Sequence, residues 1–130
     1  MDVNLINVMS LAYLGDAIYE VYIREYLISK GIAKVEELQK ESVKYVSVKN
    51  QCKILLHLTD NNLLTDEELD IVKRGRNYKR TSHPKNTDII TYKMSSGFEA
   101  MIGYLYLANK KNRLEEIINY ILGGNYEKIV

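Results

Sequence analysis

The chain has 130 residues, a length suited to one compact domain, so residues 1–130 are read as a single unit. Hydrophobic residues at 46% and charged residues at 27% lie near globular proportions and exclude wholesale disorder, and no apolar run approaches the roughly 20 residues that a membrane span requires. The formal net charge of +1 hides an uneven distribution: Ile71 to Thr87 holds Lys73, Arg74, Arg76, Lys79, Arg80 and Lys85 with no acid, which leaves −5 for the rest and suggests one face for a polyanion.

The opening MDVNLINVMS has neither a basic lead with an apolar signal core nor an arginine-rich transit pattern, so a cytoplasmic location is expected. Val8, Leu11, Leu14, Ile18, Val21 and Tyr22 then recur at steps of three and four, predicting a first helix that runs to about Ser29 and is stopped by Gly31. A second, from about Val35 to Leu58, places Val35, Leu38, Val43, Val46, Cys52, Leu55 and Leu56 on one broadly continuous face. Cys52, the single cysteine, excludes an internal disulfide and reads as a small hydrophobe.

Thr65, Asp66, Glu67 and Glu68 form a capping-box pattern that leads through Leu69 and Val72 into the basic region. Beyond Pro84, the only proline, Asp88 or Thr91 is expected to cap a helix with Met94, Phe98, Met101, Ile102 and Leu105 on its apolar face. The last helix, Arg113 to Leu122, carries Leu114, Ile117, Ile118 and Ile121 and ends at Gly123. No segment alternates as a strand would, so the expected class is all-α with about five major helices.

Two acids interrupt these apolar faces. Asp16 stands in LGDAIYE between Gly15 and Ala17, and Glu99 in GFEAMIGYLYL among Gly97, Ala100 and Gly103. Small residues let another backbone come close, so the two helices are expected to cross near their acids. Like charges brought together in a partly dry site repel unless a proton or cation lies between them, and Mg²⁺ is commonly held by one or two carboxylates and several waters. An ordinary alternative gives each acid a lysine or a helix N-terminus.

The stretch SLAYLGDAIYE resembles the signature helix of the ribonuclease III family, and FEAMIGYLYL resembles that family's second acidic helix. With RGRNYK and HPKNTDIITYKMSSGFEA between them, they are similar to its short branch, Mini-ribonuclease III, over about Leu5 to Gly123. Full-length members have further acids where this chain has Ala12 and Ser96, and they carry a C-terminal double-stranded-RNA-binding domain after the catalytic one. Both departures fit the short branch.

The resemblance implies a ribonuclease III-like catalytic domain in which Asp16 and Glu99 hold Mg²⁺ and hydrolyse a phosphodiester of double-stranded RNA. Lys73, Arg74, Arg76, Asn77, Lys79 and Lys85 are the expected RNA contacts, with Arg76 and Asn77 nearest the cleaved bond. Glu20 is expected either to orient a metal-bound water or to pair with Arg24, Ser96 either to hold an outer water or to lie on the helix surface, and His83 to be a polar loop position. The resemblance further implies a homodimer, with Leu14, Ile18, Met101, Tyr104 and Leu105 as either interface or core, and precursor 23S ribosomal RNA as substrate, with a ribosomal protein as a conceivable presenter. Two rivals are a non-catalytic ribonuclease III-like module that binds structured RNA and a helical DNA-binding regulator using the basic segment.

Overall fold

A computed structural model describes residues 1–79, 85 and 88–124. A short 3₁₀ turn, Val3–Leu5, precedes six α-helices: α1 Val8–Ser29, α2 Val35–Val46, α3 Val48–Asp60, α4 Asp66–Asn77, α5 Ile89–Leu107 and α6 Lys111–Leu122. No strand occurs among the described residues, in agreement with the all-α expectation.

Several helix ends follow from local chemistry. The Thr65 hydroxyl accepts the Glu68 N–H at 3.1 Å while the Glu68 carboxylate accepts the Thr65 N–H at 2.9 Å, a complete capping box. Asp88, rather than Thr91, caps α5 by accepting the Ile90 N–H at 3.0 Å. Gly31, with φ +89°, takes the left-handed conformation that ends α1.

The helix expected over Val35 to Leu58 is two helices, which raises the count to six. Ser47 between them is extended, at φ −63° and ψ 150°, and its hydroxyl accepts the Asn50 N–H at 3.2 Å. The apolar pattern gave no sign of this break because both helices turn their apolar sides to the same core.

That core is organised around α5, which packs against α1, α3, α4 and α6. From Ser95 to Leu105 every residue of α5 except Glu99 is buried, as expected of a helix that is small or apolar nearly all round. Tyr19 of α1 meets Phe98 of α5 edge to face, with ring centroids 5.0 Å apart, and its hydroxyl donates to the Tyr45 carbonyl at 3.1 Å. Burial of each large side chain such as Leu11, Ile54, Met101, Ile102, Leu105 or Leu114 contributes about 1.5–3 kcal/mol.

The buried stripe of α1 is rotated from the expected one. It consists of Val8, Leu11, Ala12, Gly15, Tyr19, Ile23 and Leu27, whereas Leu14, Ile18 and Tyr22 are half-buried and Val21 is exposed. The small residues face inward because they, and not the larger ones, allow α1 to lie close on α5. Met101, Tyr104 and Leu105 are buried within this chain, so the choice between interface and core falls to core.

Candidate active site

The crossing of α1 on α5 explains the glycine beside the acid. A Cβ on Gly15 would lie 1.7 Å from the Glu99 carbonyl oxygen, and one on Gly103 would lie 2.0 Å from the Leu11 carbonyl oxygen. No side chain fits at either position. The backbones meet there, at a helix-propensity cost of about 1 kcal/mol for each interior glycine.

The contact brings Asp16 and Glu99 together, as the small flanking residues suggested. Asp16 lies on the exposed side of α1, next to the buried stripe and not on it, while Glu99 is half-buried. Burial pushes the Glu99 carboxyl up, and the Asp16 charge and a hydrogen bond between the two side chains add to this, carrying it to about 8; the Gln51 amide opposes and Glu20 adds a further push. A group placed this way holds a proton or awaits a cation.

Glu20 takes the ordinary partner: its carboxylate accepts from Arg24 at 2.7 Å. Ser96 is 6% exposed, so the surface placement is wrong for it. The cause is a second glycine crossing. A Cβ on Gly75 of α4 would stand 2.8 Å from the Gly97 Cα, and one on Gly97 would stand 2.6 Å from the Val72 carbonyl oxygen. This contact seats the last turn of α4 against α5 two residues before Glu99.

The basic run therefore emerges beside the acids. Lys73, Arg74, Asn77 and Lys79 are exposed and Arg76 is half-buried, its Nε donating to the Asn77 Oδ1 at 3.3 Å. Lys85 is exposed. Arg80, His83 and Pro84 lie outside the described residues.

One member of the site escaped sequence reasoning. Gln51 of α3 is 1% exposed and donates to Glu99 at 3.4 Å. Its signal was present: it shares a stripe with Ile54, Leu55 and Leu58, a polar residue on an apolar face. Cys52, the neighbouring residue, is half-buried, and burial pushes its thiol up, as suits an unreactive packing residue.

Among the described residues no group of three or more His, Cys, Asp or Glu side chains converges as a metal cage. The available set is two carboxylates, all oxygen donors, with Glu99 driven toward protonation by burial and by Asp16. Mg²⁺ suits such a set, because it retains several waters and draws on few protein ligands.

A family model for the ribonuclease III domain matches residues 9–110, which include both glycine crossings, both acids and the basic end of α4. The chain belongs to the ribonuclease III family. Within that family it is similar to Mini-ribonuclease 3 of Streptococcus pneumoniae, 44% identical over 94% of this chain and 95% of that one, and to Mini-ribonuclease 3 of Brevibacillus brevis, 50% identical over 90% and 86%. These relatives belong to the short branch that the sequence motifs resemble. A crystal structure of a Fusobacterium nucleatum protein superimposes with a TM-score of 0.82 at 32% identity, covering 95% of this chain and 97% of the other. The family match thus spans α1 to α5, and the superposition covers 95% of the chain.

Proposed function

We propose that the protein is a Mg²⁺-dependent endoribonuclease that cuts double-stranded RNA, with residues 1–130 as its catalytic domain. The observation that carries this reading is the meeting of Asp16 and Glu99 at a backbone contact that excludes side chains, next to an exposed basic helix end. Asp16 and Glu99 are the residues that would hold the metal. When bound, Mg²⁺ supplies activation of the attacking water and neutralisation of charge on the phosphate.

The chain's own groups do the rest. Lys73, Arg74, Asn77 and Lys79 are placed to engage phosphates and 2′-hydroxyls across a minor groove, with Lys85 at a further exposed position. Arg76, half-buried and tied to Asn77, has the least freedom of the basic groups and is assigned to the phosphates flanking the cut. Glu99 is brought up to Asp16 because its backbone packs directly on Gly15, with no side chain between them.

The name that the relatives carry and the family match support a nuclease reading. We assign the activity to maturation of 23S ribosomal RNA precursor ends in the cytoplasm, by a homodimer in which each site cuts one strand. No described helix is long and apolar enough to cross a membrane. The exposed side of α1 offers apolar surface for self-association in Tyr13, Val21 and Ile28.

The test is cleavage of an end-labelled RNA duplex with Mg²⁺ or EDTA. Metal-dependent cutting that vanishes in Asp16→Asn and Glu99→Gln is expected. A duplex that is bound but left intact, even as precursor ribosomal RNA with its proteins, would transfer the protein to the class of non-catalytic RNA-binding modules. Preference for a particular B-form DNA sequence would instead mark a regulator.

A further inference from the structure

The Gln51 side chain spends both of its polar atoms on partners from two other helices, α2 and α5. Its Oε1 accepts from the Ser95 hydroxyl of α5 at 2.7 Å, and its Nε2 donates to the Val46 carbonyl at the end of α2 at 3.1 Å and to the Glu99 Oε2 at 3.4 Å. Two acceptors on one side and a hydroxyl on the other fix which way the amide faces. Reversal would set an oxygen against two oxygens.

The break at Ser47 makes this possible. In one uninterrupted helix the Val46 carbonyl would receive the Asn50 N–H. Here that N–H goes to the Ser47 hydroxyl at 3.2 Å, and the freed carbonyl takes the Gln51 amide instead. The kink between α2 and α3 thus turns Gln51 inward and anchors it at 1% exposure.

We propose that Gln51, oriented by Ser95 and the Val46 carbonyl, is a positioning residue that holds the Glu99 carboxylate in place for the metal. It touches neither the substrate nor the reacting atoms. The inference rests on the nuclease reading. Partners of this kind, one step removed from a metal, typically change metal affinity or activity by roughly 10–100-fold when lost.

The experiment compares wild type with Gln51→Met, which keeps volume and removes both polar atoms, and Ser95→Ala, which removes only the orienting hydroxyl. Three quantities are read: kcat and KM on an RNA duplex, Mn²⁺ binding to the RNA-free protein by electron paramagnetic resonance, and helical content by circular dichroism. Gln51→Met is expected to lower kcat and weaken Mn²⁺ binding, each by roughly 10–100-fold, with KM within about twofold of wild type because the basic contacts are intact. Ser95→Ala is expected to act in the same direction and less strongly.

Unchanged kcat and Mn²⁺ binding in Gln51→Met would overturn the inference while wild-type cutting keeps the nuclease reading. Loss of helical signal in both variants would also overturn it, making Gln51 a packing residue. Tighter Mn²⁺ binding in Ser95→Ala would make Gln51 a ligand in its own right. Wild-type protein that neither cuts nor takes up Mn²⁺ would remove the nuclease reading and this inference with it.

Discussion

Two glutamates packed into this small protein meet opposite company. Glu68, 2% exposed, accepts two bonds from Arg113, at 2.7 and 2.8 Å, and closes the capping box of α4; Arg113 in turn donates to the Leu63 carbonyl at 2.7 Å. Burial pushes the Glu68 carboxyl up, but the Arg113 guanidinium and the Thr65 backbone outweigh it and hold the group below the usual range. Burial pushes the Glu99 carboxyl up as well, and its neighbour Asp16 adds to that push, so the group stands far above the usual range. The sign of the partner decides whether the push of burial is outweighed, as by Arg113 for Glu68, or reinforced, as by Asp16 for Glu99.

The sharpest way to break this comparison is to neutralise each acid in turn. Asp16→Asn or Glu99→Gln is expected to lower cleavage by at least about a thousandfold, the several kcal/mol a metal contributes to the transition state, while the fold is retained. End-labelled duplex cleavage and circular dichroism on the same samples check this. Cutting that persists in either variant would remove that acid from the site.

Loss of the cation on the other side should do the reverse. Arg113→Met leaves Glu68 buried without its partner and is expected to cost about 3 kcal/mol of stability in urea unfolding. Arg113 is itself partly exposed, so the lower end of the usual range applies. Cleavage per folded molecule should stay within about twofold.

Stability against pH sharpens the contrast. The Glu99 carboxyl titrates ordinarily at 4.5 and in the fold at about 8, so between these values the folded protein holds a proton that the unfolded chain has released. Its contribution is complete below about 4.5 and is lost as pH rises through about 8; for Glu68, whose carboxyl is lowered, the contribution is present above the ordinary 4.5 and is lost as pH falls. Thermal unfolding of metal-free protein should therefore show a decline over that upper window. Glu99→Gln should flatten it, and a decline that persists in the variant would assign it elsewhere. The smallest effect expected is on RNA binding: Arg76→Ala should reduce the slope of log affinity against log salt by about one unit, and an unaltered slope would end its assignment to phosphate.

Much of this was legible in the sequence, for reasons that differ from residue to residue. Thr65 and Glu68 announce α4 because a capping box is a local event, and Gly31 ends α1 by its own conformational freedom. The pairing of Asp16 with Glu99 was legible through their small neighbours, which signal close backbone approach. The break at Ser47 was hidden because Val46 and Val48 carry the apolar pattern across it. Gln51 was missed, and the surface alternative for Ser96 failed, because their surroundings depend on which helix lies opposite, and one sequence does not reveal that. Asp16 was expected among buried residues and is exposed, since the inward side of α1 belongs to Ala12 and Gly15.

The glycine contacts also govern when the site exists at all. Gly15 and Gly103 seat α1 directly on α5, and Gly75 and Gly97 seat α4 on it, so separating either helix from α5 breaks a backbone contact at the centre of the core. Opening between Asp16 and Glu99 then demands disruption of the whole core, and backbone amides around Leu11 to Gly15 and Gly97 to Gly103 should exchange with solvent only through global unfolding. The pairing of Asp16 with Glu99 is then expected to form or dissolve as an all-or-none event. A marginally destabilised variant would be a mixture of fully competent and fully inert molecules, not a population of weakened ones.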